Sequence, residues 1–157
     1  MPGPNALTHA PPVVRCAPLC KASEGLFLRP YLCPALVPTI GFGSTRYEDG
    51  TRVTLADPPI SAARAEALLF HELDALLPRV YALCPQLREW GDNATAAILD
   101  FTFNLGTGRL AGSTLRKRIA QDDVEGAKRE LMKWVYGGGR VLPGLVKRRA
   151  AECKMLG

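Results

Sequence analysis

Residues 24–43 read Glu-Gly-Leu-Phe-Leu-Arg-Pro-Tyr-Leu-Cys-Pro-Ala-Leu-Val-Pro-Thr-Ile-Gly-Phe-Gly, and this stretch decides the fold. It opens at the end of a segment, Pro18 to Gly25, that predicts a short helix with Pro18 in its first turn and Gly25 as its stop. Glu24 then sits in the last turn, where the helix dipole disfavours a negative charge. From Leu26 to Ala56 the helical period disappears. Pro30, Pro34 and Pro38 break it and β-type residues take over. Thr39–Gly43 and Thr51–Leu55 are expected to be strands joined through the turn Glu48-Asp49-Gly50. Gly41 and Gly43 leave room for a ligand beside the first strand.

Everything after Pro59 reads as helical. Ser61 is a suitable cap for a helix over Ala62–Leu77, whose Ala65, Leu68, Leu69, Leu73 and Leu76 recur at three- and four-residue spacing. Pro78 is expected to end or kink it. Asp92 caps a helix over Asn93–Leu105 that Gly106 stops. Ser113 caps Thr114–Ala120, Asp122 caps a helix running through Trp134, and a last helix follows the Gly137-Gly138-Gly139 loop from Pro143 to Met155. The class is α+β: a mainly helical body, a small antiparallel hairpin lobe, and a cleft between the two. Residues 1–15, rich in proline, are expected to form an irregular arm, and residues 16–157 a single domain.

Bulk properties set outer limits. Of 157 residues, 47% are apolar and 22% charged, an ordinary globular balance that argues against disorder. The net charge of +5 favours anionic partners. The densest basic cluster, Lys147-Arg148-Arg149, is too short for a nucleic-acid tail, so no nucleic-acid partner is expected. Arg148 and Arg149 are expected to pair with Glu152 on a helix surface, with a contact to Glu24 as the alternative. The five cysteines, Cys16, Cys20, Cys33, Cys84 and Cys153, are odd in number and irregular in spacing. That suits free thiols better than a disulfide scaffold. His9 and His71 are the only histidines, and His71-Glu72 lacks the second histidine of a zinc helix. No metal site and no cofactor are expected.

The chemistry lies in Glu24, Cys33 and Thr39. A glutamic acid that keeps its proton can protonate a glycosidic oxygen, while a second polar group and a hydroxyl aim water at the sugar carbon. Eight residues separate Glu24 from Cys33 and five separate Cys33 from Thr39. This spacing, with the Thr-Ile-Gly-Phe-Gly run, resembles the active-site segment of the phage-type lysozymes, glycoside hydrolase family 24, where the middle position is Asp or Cys. Further pieces resemble the family in the same order: Phe-Thr-Phe-Asn-Leu-Gly at 101–106, Ser113-Thr114-Leu115, and the segment from Trp134 to Glu152.

The resemblance implies a lysozyme-like fold and an endolysin that hydrolyses the β-1,4 bond between N-acetylmuramic acid and N-acetylglucosamine in peptidoglycan. It assigns proton donation to Glu24, handling of water to Cys33 and Thr39, and the saccharide groove to Phe103, Asn104 and Thr114. Cys33 is open to three roles: water-activating base, water holder, or nucleophile. A disulfide from Cys33 to Cys16 or Cys20 would close the site. Ser44 stands where family members often carry histidine. The N-terminal segment lacks the apolar export helix of some members, so synthesis in the host cytoplasm and release to the wall through a membrane-permeabilising partner are expected. A monomer is expected. Two other readings keep the scaffold: a lytic transglycosylase, and a non-catalytic wall-binding lysis regulator.

Overall fold

A computed structural model describes residues 9–157. Its first helix, α1, spans Pro11–Glu24 and starts seven residues before the predicted segment. Residues 11–15 are thus helical and not part of an irregular arm; residues 1–8 lie outside the described residues. Pro11 and Pro12 occupy the first turn, where a missing N–H costs nothing. Pro18 lies inside the helix on its exposed side, so water can reach the carbonyl it leaves unpaired. The opposite side, Val13, Cys16, Ala17 and Cys20, is buried, and that packing outweighs the local penalty.

Strand β1 (Phe27–Leu32) runs antiparallel to β2 (Pro38–Gly41). The hairpin therefore forms upstream of the predicted one. Thr51–Leu55 is not a strand, and only the bridge Arg46↔Arg52 survives there. The predicted turn is present, closed by Gly50 N–H to the Tyr47 carbonyl at 3.0 Å, with Gly50 at φ +86°. The ladder stops because Asp57 captures Thr54: its carboxylate accepts the Thr54 amide at 2.9 Å and the hydroxyl at 2.7 Å.

Helix α2 (Ala62–Leu83) is capped by Ser61 as read, and it continues past Pro78 because Leu77 and Val80 extend its buried stripe. After α3 (Leu87–Trp90), α4 (Asp92–Leu105) runs through the centre of the body, buried continuously from Ala94 to Thr102. It is packed by α1, by α2 and by α8 (Pro143–Leu156). Between them lie α5 (Thr107–Ala111), α6 (Thr114–Ala120) and α7 (Val124–Leu131). Ser113 caps α6 through the Arg116 amide. The cap of α7 is Asp123 in place of Asp122, and the helix stops short of Trp134. A small hairpin of β3 (Tyr136–Gly137) and β4 (Arg140–Val141) fills the glycine loop. Ile40, Val53 and Leu68 form a second, smaller core that fastens the hairpin lobe to α2. No helix of the described residues is long and apolar enough to cross a membrane.

Candidate active site

Between the hairpin lobe and the helical body lies a cleft of about 840 Å³. Glu24, Cys33 and Thr39 all line it, together with Tyr31, Glu72, Phe103 and Asn104. Three local structures deliver the three predicted side chains. Gly25 closes α1 by donating to the Lys21 carbonyl at 3.1 Å, which leaves Glu24 as the last helical residue. Cys33 opens the β1–β2 turn. Its amide donates to Val37 O at 3.1 Å and its carbonyl accepts from Leu36 N at 2.8 Å. Thr39 sits on β2 and is only 3% exposed.

Glu24 is held from below. Arg148 Nη1 donates to Glu24 Oε1 at 2.7 Å. The same guanidinium grips Asp100 with two bonds, Nε to Oδ2 at 2.9 Å and Nη2 to Oδ1 at 2.8 Å. The Cys20 thiol adds a third donor to Asp100 at 3.2 Å. Asp100 is completely buried, and burial alone would push its carboxyl up. The Arg148 guanidinium, together with the Glu152 and Cys20 side chains, outweighs that and holds it below the usual carboxylate range. Arg148, although buried, is raised by the two carboxylates and stays a cation. A bidentate guanidinium with a rigid fork fixes direction as well as charge. Arg148 is therefore not the expected surface partner of Glu152. Arg149 takes that role, in a fully buried pair at 2.9 Å, and also donates to Asn104 Oδ1 at 2.8 Å.

Cys33 and Thr39 reach the cleft from the β1–β2 hairpin. The Cys33 thiol is pulled below its ordinary value, first by the Val37 backbone, against a smaller desolvation, and further by the Ala35 backbone. The Thr39 proton is committed to the Val37 carbonyl at 2.8 Å. Its oxygen lone pairs then face outward as acceptors, the right polarity to hold a water by its hydrogen.

Glu72 is a second acid in the cleft that sequence reasoning did not single out. Burial lifts its carboxyl to about 7; the neighbouring Ser44 hydroxyl opposes that and the Glu24 charge adds to it. Ser44 is fully buried beside Glu72. Gly43 is close behind: at φ +91°, a Cβ there would stand 3.1 Å from Glu24 Oε2. Asp100 was also missed, yet a lone acid inside the apolar run Ala94–Phe101 was a readable sign of a buried pair.

Of the predicted groove residues, Phe103 and Asn104 line the cleft. Thr114, exposed at the start of α6, is not among the lining residues. Cys16 and Cys20 lie side by side at 3.7 Å in the core beneath α1, while Cys33 lines the cleft, and all five cysteines are free. Cys16, Cys20 and Asp100 bring three potential ligand atoms within 4.8 Å of one another. Both Asp100 oxygens, however, are engaged by Arg148.

An acid at a helix end, a thiol and a hydroxyl lining one groove between lobes suit the cleavage of a glycosidic bond. The comparisons agree. The phage lysozyme family model matches residues 21–152, so the chain belongs to that family. An endolysin of Acyrthosiphon pisum secondary endosymbiont phage 1 is 36% identical over 140 residues, covering 85% of this chain and 89% of its own. The solved endolysin of Escherichia coli O157:H7 phage FAHEc1 superposes with a TM-score of 0.70 at 26% identity over 90% of each chain. The muramidase domain of SpmX from Asticaccaulis excentricus superposes with a TM-score of 0.74 at 25% identity, covering 90% of this chain and 93% of that one. The protein is a lysozyme-type glycoside hydrolase, a muramidase that degrades peptidoglycan.

Proposed function

We propose that Glu24 protonates the bridging oxygen of the β-1,4 link between N-acetylmuramic acid and N-acetylglucosamine, while Cys33 and Thr39 manage the attacking water. The observation that carries this reading is the Arg148 anchor, which fixes Glu24 Oε1 at 2.7 Å and leaves the other oxygen, Oε2, directed at Gly43 on the cleft wall. Protonated at that second oxygen, Glu24 gives its proton to the leaving sugar. The Thr39 hydroxyl accepts a hydrogen bond from one O–H of a water, and the Cys33 thiolate takes the proton of the other. The resulting hydroxide bonds to the anomeric carbon as the glycosidic C–O bond breaks. Phe103 and Asn104, which line the cleft, flank the chain of sugars.

The enzyme acts on the wall as a monomer. It is made in the host cytoplasm and reaches peptidoglycan once a membrane-permeabilising partner opens the way. Clearing of purified peptidoglycan by wild type, Glu24→Gln and Cys33→Ser tests the roles. Glu24→Gln is expected to lose at least ~10²-fold in rate, and wild-type products should carry reducing ends. Retained turnover in Glu24→Gln removes the acid assignment, and 1,6-anhydro ends would make the enzyme a transglycosylase.

A further inference from the structure

Among the described residues, six of the eleven exposed large apolar residues, Leu26, Phe27, Leu28, Leu32, Leu36 and Val37, fall in one stretch running from just before β1 to the turn before β2. Within them one arrangement is built and not incidental. Phe27 and Tyr31 are four residues apart on a strand, which normally places side chains about 13 Å apart. Here their ring centroids are 4.2 Å apart with the planes tilted by 32°. The register explains it. Phe27 pairs with Gly41 and Tyr31 with Thr39, so four residues of β1 span the interval of two on β2. This bulge, around Arg29-Pro30, shortens the strand and folds the two rings together. Gly41, opposite Phe27, lies against α2, where a Cβ would stand 3.2 Å from the Ala65 Cβ.

The pair is continuous with the catalytic cleft. Tyr31 lines it and is the cross-strand partner of Thr39, so the two share a face. Burial, then the Glu24 and Cys33 charges, raise the Tyr31 phenol, which agrees with its place between the two. Phe27 lies just outside the lining; a Cβ on Gly25 would meet its Cε2 at 3.6 Å, so the ring stands over the residue after the acid. Phe27 remains 43% exposed. An exposed aromatic pair at the mouth of a saccharide cleft offers a flat apolar surface, and the axial C–H face of a pyranose is the apolar surface of a glycan.

We propose that Phe27 and Tyr31 form a sugar-stacking subsite that extends the cleft at the Glu24 side and binds a pyranose ring of the same glycan strand beyond the one being cut. This rests on the muramidase reading above. Its role is in binding and register along the strand, not in the chemical step.

The test uses the chitin-derived hexamer of N-acetylglucosamine as probe, with the Glu24→Gln protein for binding and the Glu24 protein for kinetics on soluble peptidoglycan fragments. Phe27→Ala is expected to weaken hexamer binding and raise KM about tenfold, with kcat within about twofold. Phe27→Tyr should restore both, and Phe27→Leu, apolar without a ring, should not. A hexamer shortened to a trimer should bind equally to wild-type and Phe27→Ala forms of the Glu24→Gln protein if it fits within the catalytic cleft. Equal hexamer affinity for Phe27→Ala and the parent, with unfolding curves that superimpose, overturns the subsite. A drop in kcat with unchanged KM overturns it too, since it would place Phe27 in the chemical step. Retained turnover in Glu24→Gln sinks the assignment of the acid instead, whatever Phe27 does, so the two failures are distinct.

Discussion

Replacing Arg148 by methionine separates the two functions of the buried network. In the native protein the guanidinium neutralises Asp100, which is 0% exposed, and positions Glu24. Arg148→Met keeps most of the side-chain volume but leaves Asp100 buried without its cation. Orphaning one member of a buried pair costs about 3–5 kcal/mol. For a chain of this length each kcal/mol moves the melting temperature by about 2–4 °C, so Tm should fall by roughly 6–20 °C. Turnover should fall by about 10²-fold, because Glu24 loses the contact that sets its position. The double variant Asp100→Leu/Arg148→Met removes both charges and should recover most of the lost stability, since neither member of the pair is left buried without the other. It should not recover activity.

Acidity supplies a further check on that cycle. The folded Asp100 carboxyl is depressed, so its contribution is fully present above the unfolded carboxylate value and is lost as pH falls through the folded one. In Arg148→Met the orphaned carboxylate can take up a proton, so the deficit relative to wild type should shrink toward acid. Thermal unfolding followed by circular dichroism, alongside peptidoglycan clearing, measures both quantities. If the single and double variants melt together, or if the single variant melts within about 2 °C of wild type, the network is not the support argued for it.

Three other outcomes are expected. Iodoacetamide should label Cys33 ahead of Cys20 and Cys84, because its thiol is lowered and lines the cleft while theirs are buried and raised; peptide mass spectrometry reads the order, and loss of activity should track the Cys33 adduct. Gly43→Ala should cost about 1–3 kcal/mol for a side chain at φ +91° and cut activity at least about tenfold by pressing on Glu24 Oε2, with melting and clearing as readouts. Glu72 is raised to about 7 in the fold, so folding disfavours its ionised form and stability should decline by about 2–3 kcal/mol as pH rises from the ordinary carboxylate range through about 7; Glu72→Gln should flatten that slope in denaturant titrations.

How much of this was legible in the sequence depends on the distance over which each decision is made. Ser61, Ser113 and Gly106 were readable as helix ends because a cap is settled within three or four residues. Glu24, Cys33 and Thr39 could be read together because one continuous stretch, the end of α1 and the β1–β2 hairpin, brings all three to the cleft lining. The hairpin was misplaced because strand choice is a competition between partners. Thr39–Gly41 could pair upstream or downstream, and Asp57 decided it by taking the Thr54 amide. Pro18 was read as the first turn of a helix and Pro78 as the end or kink of one, but the buried faces of α1 and α2 carry both helices through these prolines, a packing gain that no local window can weigh.

The site shows the same divide in its chemistry. The reacting groups are local in sequence, whereas the groups that tune them are not. Arg148 lies 124 residues from Glu24 and 48 from Asp100. Its identity as the anchor is set by which face α8 turns to α4, and neighbouring Arg149 differs from it only by that rotation. One arginine consequently holds the acid while the next closes a structural pair with Glu152 and orients Asn104 at the cleft. A reading that treats Arg148 and Arg149 as interchangeable surface charge predicts equal tolerance to substitution. The structure requires a split: loss at Arg148 should fall on turnover and stability together, and loss at Arg149 chiefly on stability, because Arg149 touches the cleft only through Asn104.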